Sequence, residues 1–220
     1  IIPTSEWSYK KIVKKYQSID KNCQKIPCGV DFTKWFPTNK KISKKILGLK
    51  NKPTILFIAY GVNNSRKGFN YLKESLKFIK YDYELLIAGD EKPLNFINKD
   101  YKFIHSPKDI KVRRLIYSSA DLLVAPSIQE AFGLVCLEAA ACNTPSVIFD
   151  DNGLEDIIAH KINGYVVKKK NIKELAMGIN WILKSIKTKP KKFNICRREV
   201  IKRYNIRNLA DFYILVYKKL

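Results

Sequence analysis

The stretch Thr54–Tyr60, TILFIAY, is an almost continuous run of apolar side chains. Such a run is typical of a parallel strand that is buried on both faces of a sheet. The loop Gly61–Gly68 follows it, and the pattern then predicts a helix from Phe69 to about Ile79. A strand, a loop and a helix in this order form the repeating unit of a parallel α/β sheet.

The unit recurs along the chain. Further strands are predicted at 83–88, 101–105, 121–125, 145–149 and, at a sheet edge, 165–167. Further helices are predicted at 109–120, 131–142, 156–160 and 171–186. This alternation predicts an α/β fold built on a Rossmann-like, doubly wound parallel sheet. Such sheets bind ligands at the carboxyl ends of their strands.

Helical patterns flank this alternating region on both sides. Ser5 can cap a helix that runs to about Tyr16, and Asn39–Leu47 is predicted to be a short, very basic helix. The stretch Phe193–Leu220 predicts two more helices, broken near Asn205. Because residue 1 is Ile and helical sequence begins almost at once, we expect a domain cut from a longer chain.

The composition suits one α/β domain with a sizeable core, or one domain plus a fragment of another, since the chain has 220 residues of which 46% are hydrophobic. The 42 Lys and Arg against 20 Asp and Glu give a net charge of +22. Such a surface attracts nucleic acid, anionic lipid head groups or phosphorylated substrates. Most of the basic residues are Lys, and Ile and Asn are also plentiful, so an AT-rich genome is an alternative origin of the charge.

The five cysteines do not form a C-x-x-C pair, and His105 and His160 are far apart in the sequence. We therefore expect no zinc site. The odd cysteine count suits free thiols in a reducing compartment. The sequence shows no signal peptide and no apolar run of the ~20 residues that span a bilayer. We expect a cytoplasmic protein, either free or peripheral at the inner membrane face.

The segment Pro126–Glu138, PSIQEAFGLVCLE, joins a predicted strand to a predicted helix. Glu130 is expected in the loop or at the helix cap. Residues Ala131 to Val135 would present free backbone N–H groups at the helix start, where the helix dipole also favours an anion. Gly133 would let the backbone approach a ligand closely.

Glu138 follows two helical turns later among residues that are predicted to be buried. A buried carboxylate is costly unless it is paired or accepts hydrogen bonds, and the vicinal hydroxyls of a ribose would supply them. The alternative is an ordinary helix with one solvent-facing glutamate, Glu138, and one capping glutamate, Glu130. The residues alone leave both interpretations open.

The loop Gly61–Gly68, GVNNSRKG, places Arg66 and Lys67 just before a predicted helix. Two cations at a helix start suit a diphosphate. The loop is neither G-x-G-x-x-G nor a P-loop. A solvated Arg-Lys pair is the alternative interpretation in so basic a chain.

Taken together, these segments resemble the family 4 retaining glycosyltransferases. Glu130 and Glu138, with AFGLV after the first, resemble that family's paired-glutamate motif. Further matches fall in the family's order over about residues 5–220: Ile26–Asp31, Arg66–Gly68, Ser118–Ser127, Ala141–Pro145 and Gly164–Val167.

The resemblance implies the GT-B fold, in which two Rossmann-like domains face each other across a cleft. This chain matches the C-terminal, donor-binding half. Residues 1–24 are then the end of the N-terminal acceptor domain and a linker. Residues 25–204 are the nucleotide-sugar-binding domain, and residues 205–220 are a helix that crosses back towards the other domain.

The resemblance also implies roles for individual residues. Glu138 would hold the nucleotide ribose, and Glu130 would lie near the donor sugar and support catalysis. Lys67 would neutralise the diphosphate, with Arg66 in a supporting catalytic role. The remaining donor-binding residues would be Gly61, Phe132, Gly133, Leu134 and Val135.

Three positions depart from the family pattern. Val62 stands where the family usually has Arg, and Cys28 stands where it usually has Asn. His105-Ser106 replaces a usual Gly after the third strand. These departures concern the phosphate contacts more than the two glutamates.

The expected function is transfer of a sugar from a nucleotide-diphosphate sugar to a glycan, lipid or protein acceptor, with retained configuration. Family members often act in polysaccharide biosynthesis. We expect metal-independent transfer without a cofactor, because the sequence has no Asp-x-Asp motif and the cations would serve instead. Alternatives are a non-catalytic nucleotide-sugar-binding module and a sugar epimerase on the same fold. Nucleic-acid binding is not expected, since no aromatic-basic stacking motif occurs.

Overall fold

The computed structural model describes residues 1–16, 23–96, 101–105 and 107–218. Six parallel strands form one sheet in the order β3-β2-β1-β4-β5-β6. The strands are β1 (Thr54–Ala59), β2 (Glu84–Gly89), β3 (Tyr101–His105), β4 (Leu122–Ala125), β5 (Ser146–Phe149) and β6 (Gly164–Val167). The predicted Rossmann-like, doubly wound α/β sheet is confirmed.

Eight α-helices occur in the described part of the chain. They are α1 (Glu6–Lys15), α2 (Lys40–Ile46), α3 (Phe69–Ser75), α4 (Ile110–Ser119), α5 (Leu134–Ala141), α6 (Ile172–Thr188), α7 (Ile195–Ile201) and α8 (Ile206–Tyr217). Short 3-10 helices lie at Ser65–Lys67, Leu76–Phe78, Gly153–Asp156 and Lys192–Asn194. Within the described ranges, none of these helices combines the length and apolarity that a membrane crossing requires.

The strand order reverses at β1, which pairs with β2 on one side and with β4 on the other. Right-handed crossovers then place α3 on one face and α4 and α5 on the other. Accordingly, α3 contacts α6, and α4 contacts α5. Every residue of β1, β2, β4 and β5 is buried, as expected for strands with both faces covered.

The helix predicted at 131–142 begins later than expected, at Leu134. The reason is Gly133, whose φ of 93° is left-handed and cannot continue a right-handed helix. Glu130 therefore lies in the loop and does not cap the helix. The Glu130 carbonyl accepts a hydrogen bond from the Gly153 N–H at 2.8 Å.

The prediction of a helix at 156–160 is wrong. A 3-10 helix at Gly153–Asp156 takes its place, because the Asn152 side chain caps it by accepting from the Leu154 N–H at 2.8 Å. The backbone after this 3-10 helix is bound by the Asn163 side chain, which accepts from the Ala159 N–H and donates to the Ile157 carbonyl.

The predicted flanking helices are confirmed. Ser5 caps α1 and its side chain accepts from the Ser8 N–H, while Asn205 caps α8. Helix α1 docks on the loops after β5, where its Glu6 N–H donates to Asp156 Oδ2 at 2.9 Å.

At the amino ends of the central strands, Asp121 joins β4 to β1 and α2. Its buried carboxylate accepts from Lys40 Nζ at 2.7 Å, Lys44 Nζ at 2.9 Å and the Thr54 N–H at 2.8 Å. Burial alone would raise the pKa of Asp121, but Lys40 and Lys44 hold it below its usual range. The ionised carboxylate therefore stabilises the fold.

Replacing Asp121 by alanine leaves the Lys44 ammonium buried without its carboxylate, so we expect a loss of about 3 kcal/mol in unfolding free energy. Because the pKa of Asp121 is lowered in the folded state, its contribution is present above the unfolded pKa, about 3.9, and is lost as the pH falls through the folded pKa. The difference from wild type should thus be full at pH 7 and shrink below about pH 4. Urea unfolding at pH 7 and pH 3 measures it.

Asp82→Ala is the matched control, since Asp82 pairs with Lys52 at 2.9 Å but is 78% exposed at its side chain. It should change stability far less than Asp121→Ala. Equal losses in the two variants would contradict a special contribution from the buried network.

Candidate functional site

The loops that follow β1 and β4 meet at the carboxyl edge of the sheet. The Ile128 N–H donates to the Arg66 carbonyl at 2.8 Å. Gly68 has a φ of 77°, and a Cβ there would stand 1.9 Å from the Pro126 carbonyl oxygen. Only glycine allows so close an approach, so this contact brings the two sequence-predicted segments together.

Between these loops lies a cavity of about 380 Å³, which we call the first cavity. The structure places here most of the residues that the sequence predicted. The lining residues among them are Lys67, Glu130, Phe132, Gly133, Leu134 and Val135.

Lys67 and Glu130 form an ion pair inside the first cavity. Lys67 Nζ lies 2.7 Å from Glu130 Oε2, and the two side chains are 20% and 19% exposed. Arg66 lies further out: its Nη1 is 3.9 Å from Glu130 Oε2 and donates to the Gln129 carbonyl at 2.9 Å. Lys67 is therefore the cation that faces the cavity, while Arg66 supports the loop at its rim.

The start of α5 opens into the same cavity. Gly133 provides no side-chain cap, and the first two N–H groups of the helix have no partner within it, whereas the Cys136 N–H donates to the Gly133 carbonyl at 3.0 Å. Leu134 and Val135 carry these N–H groups. A Cβ at Gly133 would stand 1.9 Å from Leu154 Cδ2. The helix start therefore offers free donors and a positive dipole end next to Lys67.

A second cavity, of about 540 Å³, adjoins the first along the same edge. The two share Ile58, Ala59, Tyr60 and Val135, and the second adds Asp90, His105, Pro107, Lys108 and Arg113. Together the two cavities form one elongated cleft across the carboxyl ends of β1, β2 and β4. That is where a doubly wound sheet binds its ligand.

Glu138 is 4% exposed, so the interpretation of it as a solvent-facing glutamate is wrong. Its Oε2 accepts from Tyr117 Oη at 2.7 Å and from Arg113 Nη2. Protein groups therefore stabilise this carboxylate without a ligand. Burial raises the pKa of Glu138, and Arg113 and Tyr117 oppose that rise.

Arg113 and Tyr117 were not identified from the sequence. They lie four residues apart and therefore on one face of α4, which was a usable signal. What could not be read was that this face meets Glu138, because the contact depends on how α4 and α5 pack. Arg113 also lines the second cavity, and so it connects Glu138 to the cleft.

Gly61 shapes the cleft without lining either cavity, as far as the described residues show. Its φ is 73°, and its N–H donates to Asp90 Oδ1 at 2.7 Å. Val62 is fully buried, so the side chain at this position offers the cleft no polar contact. Cys28 is partly buried in the lining of the first cavity, and burial raises the pKa of its thiol.

Two further observations delimit the site. Across the described residues, no cluster of three or more His, Cys, Asp or Glu has the arrangement of a metal site.

A separate cavity of about 510 Å³ lies against α6, lined by aromatic residues and lysines such as Phe78, Trp181 and Lys184. It lacks the convergence of carboxylate, cation and helix start that characterises the cleft.

Solved structures share this fold. Sucrose-phosphate synthase from Thermosynechococcus elongatus matches with a TM-score of 0.85 and 24% identity, over 99% of this chain and 57% of that one. HepE from Anabaena, in a structure with UDP and glucose, matches with a TM-score of 0.84 and 19% identity, over 100% and 63%. At these identities the likeness shows the fold, which is that of GT-B enzymes.

Sequence relatives reach higher identity. An uncharacterized glycosyltransferase, MJ1607, of Methanocaldococcus jannaschii is 31% identical over 175 residues, which are 74% of this chain and 44% of the relative. The N,N'-diacetylbacillosaminyl-diphospho-undecaprenol alpha-1,3-N-acetylgalactosaminyltransferase of Campylobacter jejuni is 28% identical over 203 residues, 87% of this chain and 52% of the relative. The chain thus spans about half the length of these curated relatives.

The family model described as "Glycosyl transferases group 1" matches residues 39–195. That range holds the sheet, both loops of the cleft and the two paired glutamates. The chain belongs to this glycosyltransferase family.

Proposed function

We propose that the cleft binds a nucleotide-diphosphate sugar and that the protein transfers its sugar to a glycan, lipid or protein acceptor with retention of configuration. One observation carries the proposal: Lys67, Glu130 and the free helix start of α5 converge in one cavity. A cation and backbone donors suit a diphosphate, while a carboxylate suits sugar hydroxyls. HepE, of the same fold, was solved with UDP-glucose.

The proposed pose follows the two cavities. The diphosphate lies in the first cavity against Lys67 and the backbone N–H groups of residues 132–135. The sugar lies near Glu130. The nucleoside extends into the second cavity, where its ribose meets Glu138 past Arg113.

In the proposed reaction the transition state resembles an oxocarbenium ion, and negative charge grows on the leaving diphosphate. Lys67 and the α5 amides stabilise that charge where it develops. Arg66 adds a weaker field from the rim, since it is 45% exposed at its side chain. Fixed cations and amides supply this stabilisation, so the transfer is proposed to need neither metal nor cofactor.

We further propose that residues 25–204 form the donor domain and that residues 1–24 and 205–220 belong to its connection with an acceptor half. Helix α8 supports this division. Only Leu209 is buried along it, while Phe212, Ile214 and Leu215 are 48–53% exposed. The acceptor half would complete the cleft and help to dock the protein, with its net charge of +22, on anionic membrane at the cytoplasmic face.

A non-catalytic nucleotide-sugar-binding module is the second candidate function. It is favoured by the span of the chain, about half of its relatives' length, because the described residues hold the proposed donor site without an acceptor half. Donor binding without sugar transfer, also when an acceptor half is supplied, would support this alternative.

Lys67→Ala tests the proposed catalytic role. We expect turnover to fall by about 10²–10³-fold, because the growing diphosphate charge loses its cation. Glu130→Gln should lower turnover while largely keeping nucleoside diphosphate binding. Sugar transfer is measured as release of nucleoside diphosphate and as labelled product.

Lys73→Ala is the matched control, since Lys73 lies on the neighbouring helix and its Nζ donates to the Asn95 carbonyl at 2.9 Å. Its turnover should stay at the wild-type level. If Lys67→Ala were as active as Lys73→Ala, the proposed phosphate site would be wrong.

Donor binding should protect one thiol selectively. Of the five free cysteines, Cys136, Cys142 and Cys196 are buried, and burial raises the pKa of Cys136 and of Cys142 to about 12. These thiols should resist alkylation in the native chain. Cys28, in the cavity wall, should react more slowly once a bound nucleotide sugar covers it.

Cys23, half-buried and in the same chain, is the internal control and should react at an unchanged rate. Timed N-ethylmaleimide labelling with peptide mass spectrometry gives both rates. UDP, ADP and GDP sugars are screened first by thermal shift, because a specific donor raises the unfolding temperature. Cys28 labelling that no stabilising donor slows would contradict the proposed pose.

A further inference from the structure

The wall of the second cavity contains an arginine whose charge is directed into the protein. Arg113 lines that cavity, and its guanidinium donates to Glu138 Oε2. Tyr117, one helical turn further along α4, donates to the same oxygen at 2.7 Å. Among the described residues, no hydrogen bond to the other oxygen, Oε1, is found.

Aromatic packing fixes this arrangement. The Arg113 guanidinium lies over the Trp35 ring, 5.1 Å from its centroid. Trp35 in turn contacts Tyr117 edge to face, with ring centroids 5.8 Å apart. Because Tyr117 is fully buried, its hydroxyl has little freedom to turn away from Glu138.

We propose that Arg113 and Tyr117 are positioning residues for the donor: they hold Glu138 by Oε2 and leave Oε1 to accept hydrogen bonds from the vicinal hydroxyls of a ribose. The inference rests on the proposed function, in which the nucleoside occupies the second cavity. It assigns to α4 a specificity role for ribonucleotides over deoxyribonucleotides.

Electrostatics give Arg113 a second effect on the same contact. Burial raises the pKa of Glu138, and Arg113 is the main influence that opposes the rise. The ionisable groups that act on Glu138 are Arg113 and Tyr117 from α4 and Cys142, which follows the last residue of its own helix. The pKa of Tyr117 is well above its usual range, so its hydroxyl stays protonated and continues to donate.

Without Arg113, the Glu138 carboxyl becomes protonated at a higher pH, because burial is then less opposed. A protonated carboxyl accepts ribose hydroxyls less well than a carboxylate. The preference for a ribonucleotide should therefore require a higher pH in Arg113 variants than in wild type.

The test is isothermal titration of the 220-residue chain with UDP and with 2′-deoxy-UDP from pH 5 to pH 9, and in parallel with the ADP and GDP pairs. The ratio of the two Kd values cancels the titration of the phosphates. In wild type we expect about tenfold preference for the ribonucleotide at pH 8, since a hydrogen bond to a charged group is lost in the deoxy form. The preference should decline as the pH falls and Glu138 becomes protonated.

Arg113→Met should bring the ratio of the two Kd values close to one at pH 7. It should also raise the pH midpoint, the pH at which half of the ribonucleotide preference is lost. Tyr117→Phe, which removes only the hydroxyl, should shift the midpoint in the same direction by less, and Arg113→Lys should restore part of the preference. Arg114→Met is the matched control. Arg114 follows Arg113 on α4, lies over the Phe36 ring, 3.8 Å from its centroid, and donates to the Lys34 carbonyl at 3.1 Å. Because it does not contact Glu138 in this arrangement, the ratio of the two Kd values in Arg114→Met should equal that of wild type.

The failures can be told apart. If the wild-type chain binds no nucleoside diphosphate, the proposed function fails. If it binds them but shows no ribose preference, or if Arg113→Met and Tyr117→Phe weaken both nucleotides equally with an unmoved pH midpoint, the positioning role is overturned. Thermal unfolding of each variant confirms that the folded chain is being titrated.

Discussion

The hydrogen bond from the Ile128 N–H to the Arg66 carbonyl, 2.8 Å long, holds together the two loops on which the cleft depends. One loop follows β1 and the other follows β4, the strands at which the sheet order reverses. The helices that follow these loops, α3 and α5, lie on opposite faces of the sheet. The two segments therefore contact each other through their loops. Gly68 makes the meeting possible by bringing backbone against backbone. The Lys67–Glu130 ion pair is a consequence of this joint, since each residue comes from a different loop.

Two buried carboxylates each join elements of the fold, Asp121 at the amino ends of the central strands and Glu138 between α5 and α4, and their electrostatic results are opposite. Asp121 contacts two lysine ammonium groups and a backbone N–H, and its pKa is lowered. Glu138 has one arginine and one tyrosine, and its pKa is raised. The compensated carboxylate serves the fold, because no ligand is needed to complete it. The less compensated one lies next to the cleft, where the proposed ligand would complete its contacts.

The sequence predicted the sheet, its strands and the segments of the cleft well, because long apolar runs and the family motif are local signals. Its errors have local causes too. The start of α5 was misplaced because Gly133 adopts a left-handed conformation, which composition does not reveal. The 3-10 helix before Ile157 was missed because it is capped by the Asn152 side chain, and the backbone after it is bound by the Asn163 side chain. The contact of Arg113 with Glu138 was beyond reach, since it arises from the packing of two helices.

The Lys67–Glu130 pair has a consequence for which anions can occupy the first cavity. Glu130 is a competitor tethered to the site, and tethering gives it a high effective concentration near Lys67. A single small anion in the buffer must displace it for one contact in return. In the proposed pose, a diphosphate would reach Lys67 and the α5 amides together and would replace the Glu130 contact by several of its own. The carboxylate would thereby favour a diphosphate over a small anion at Lys67, in a chain whose net charge of +22 attracts anions of every kind.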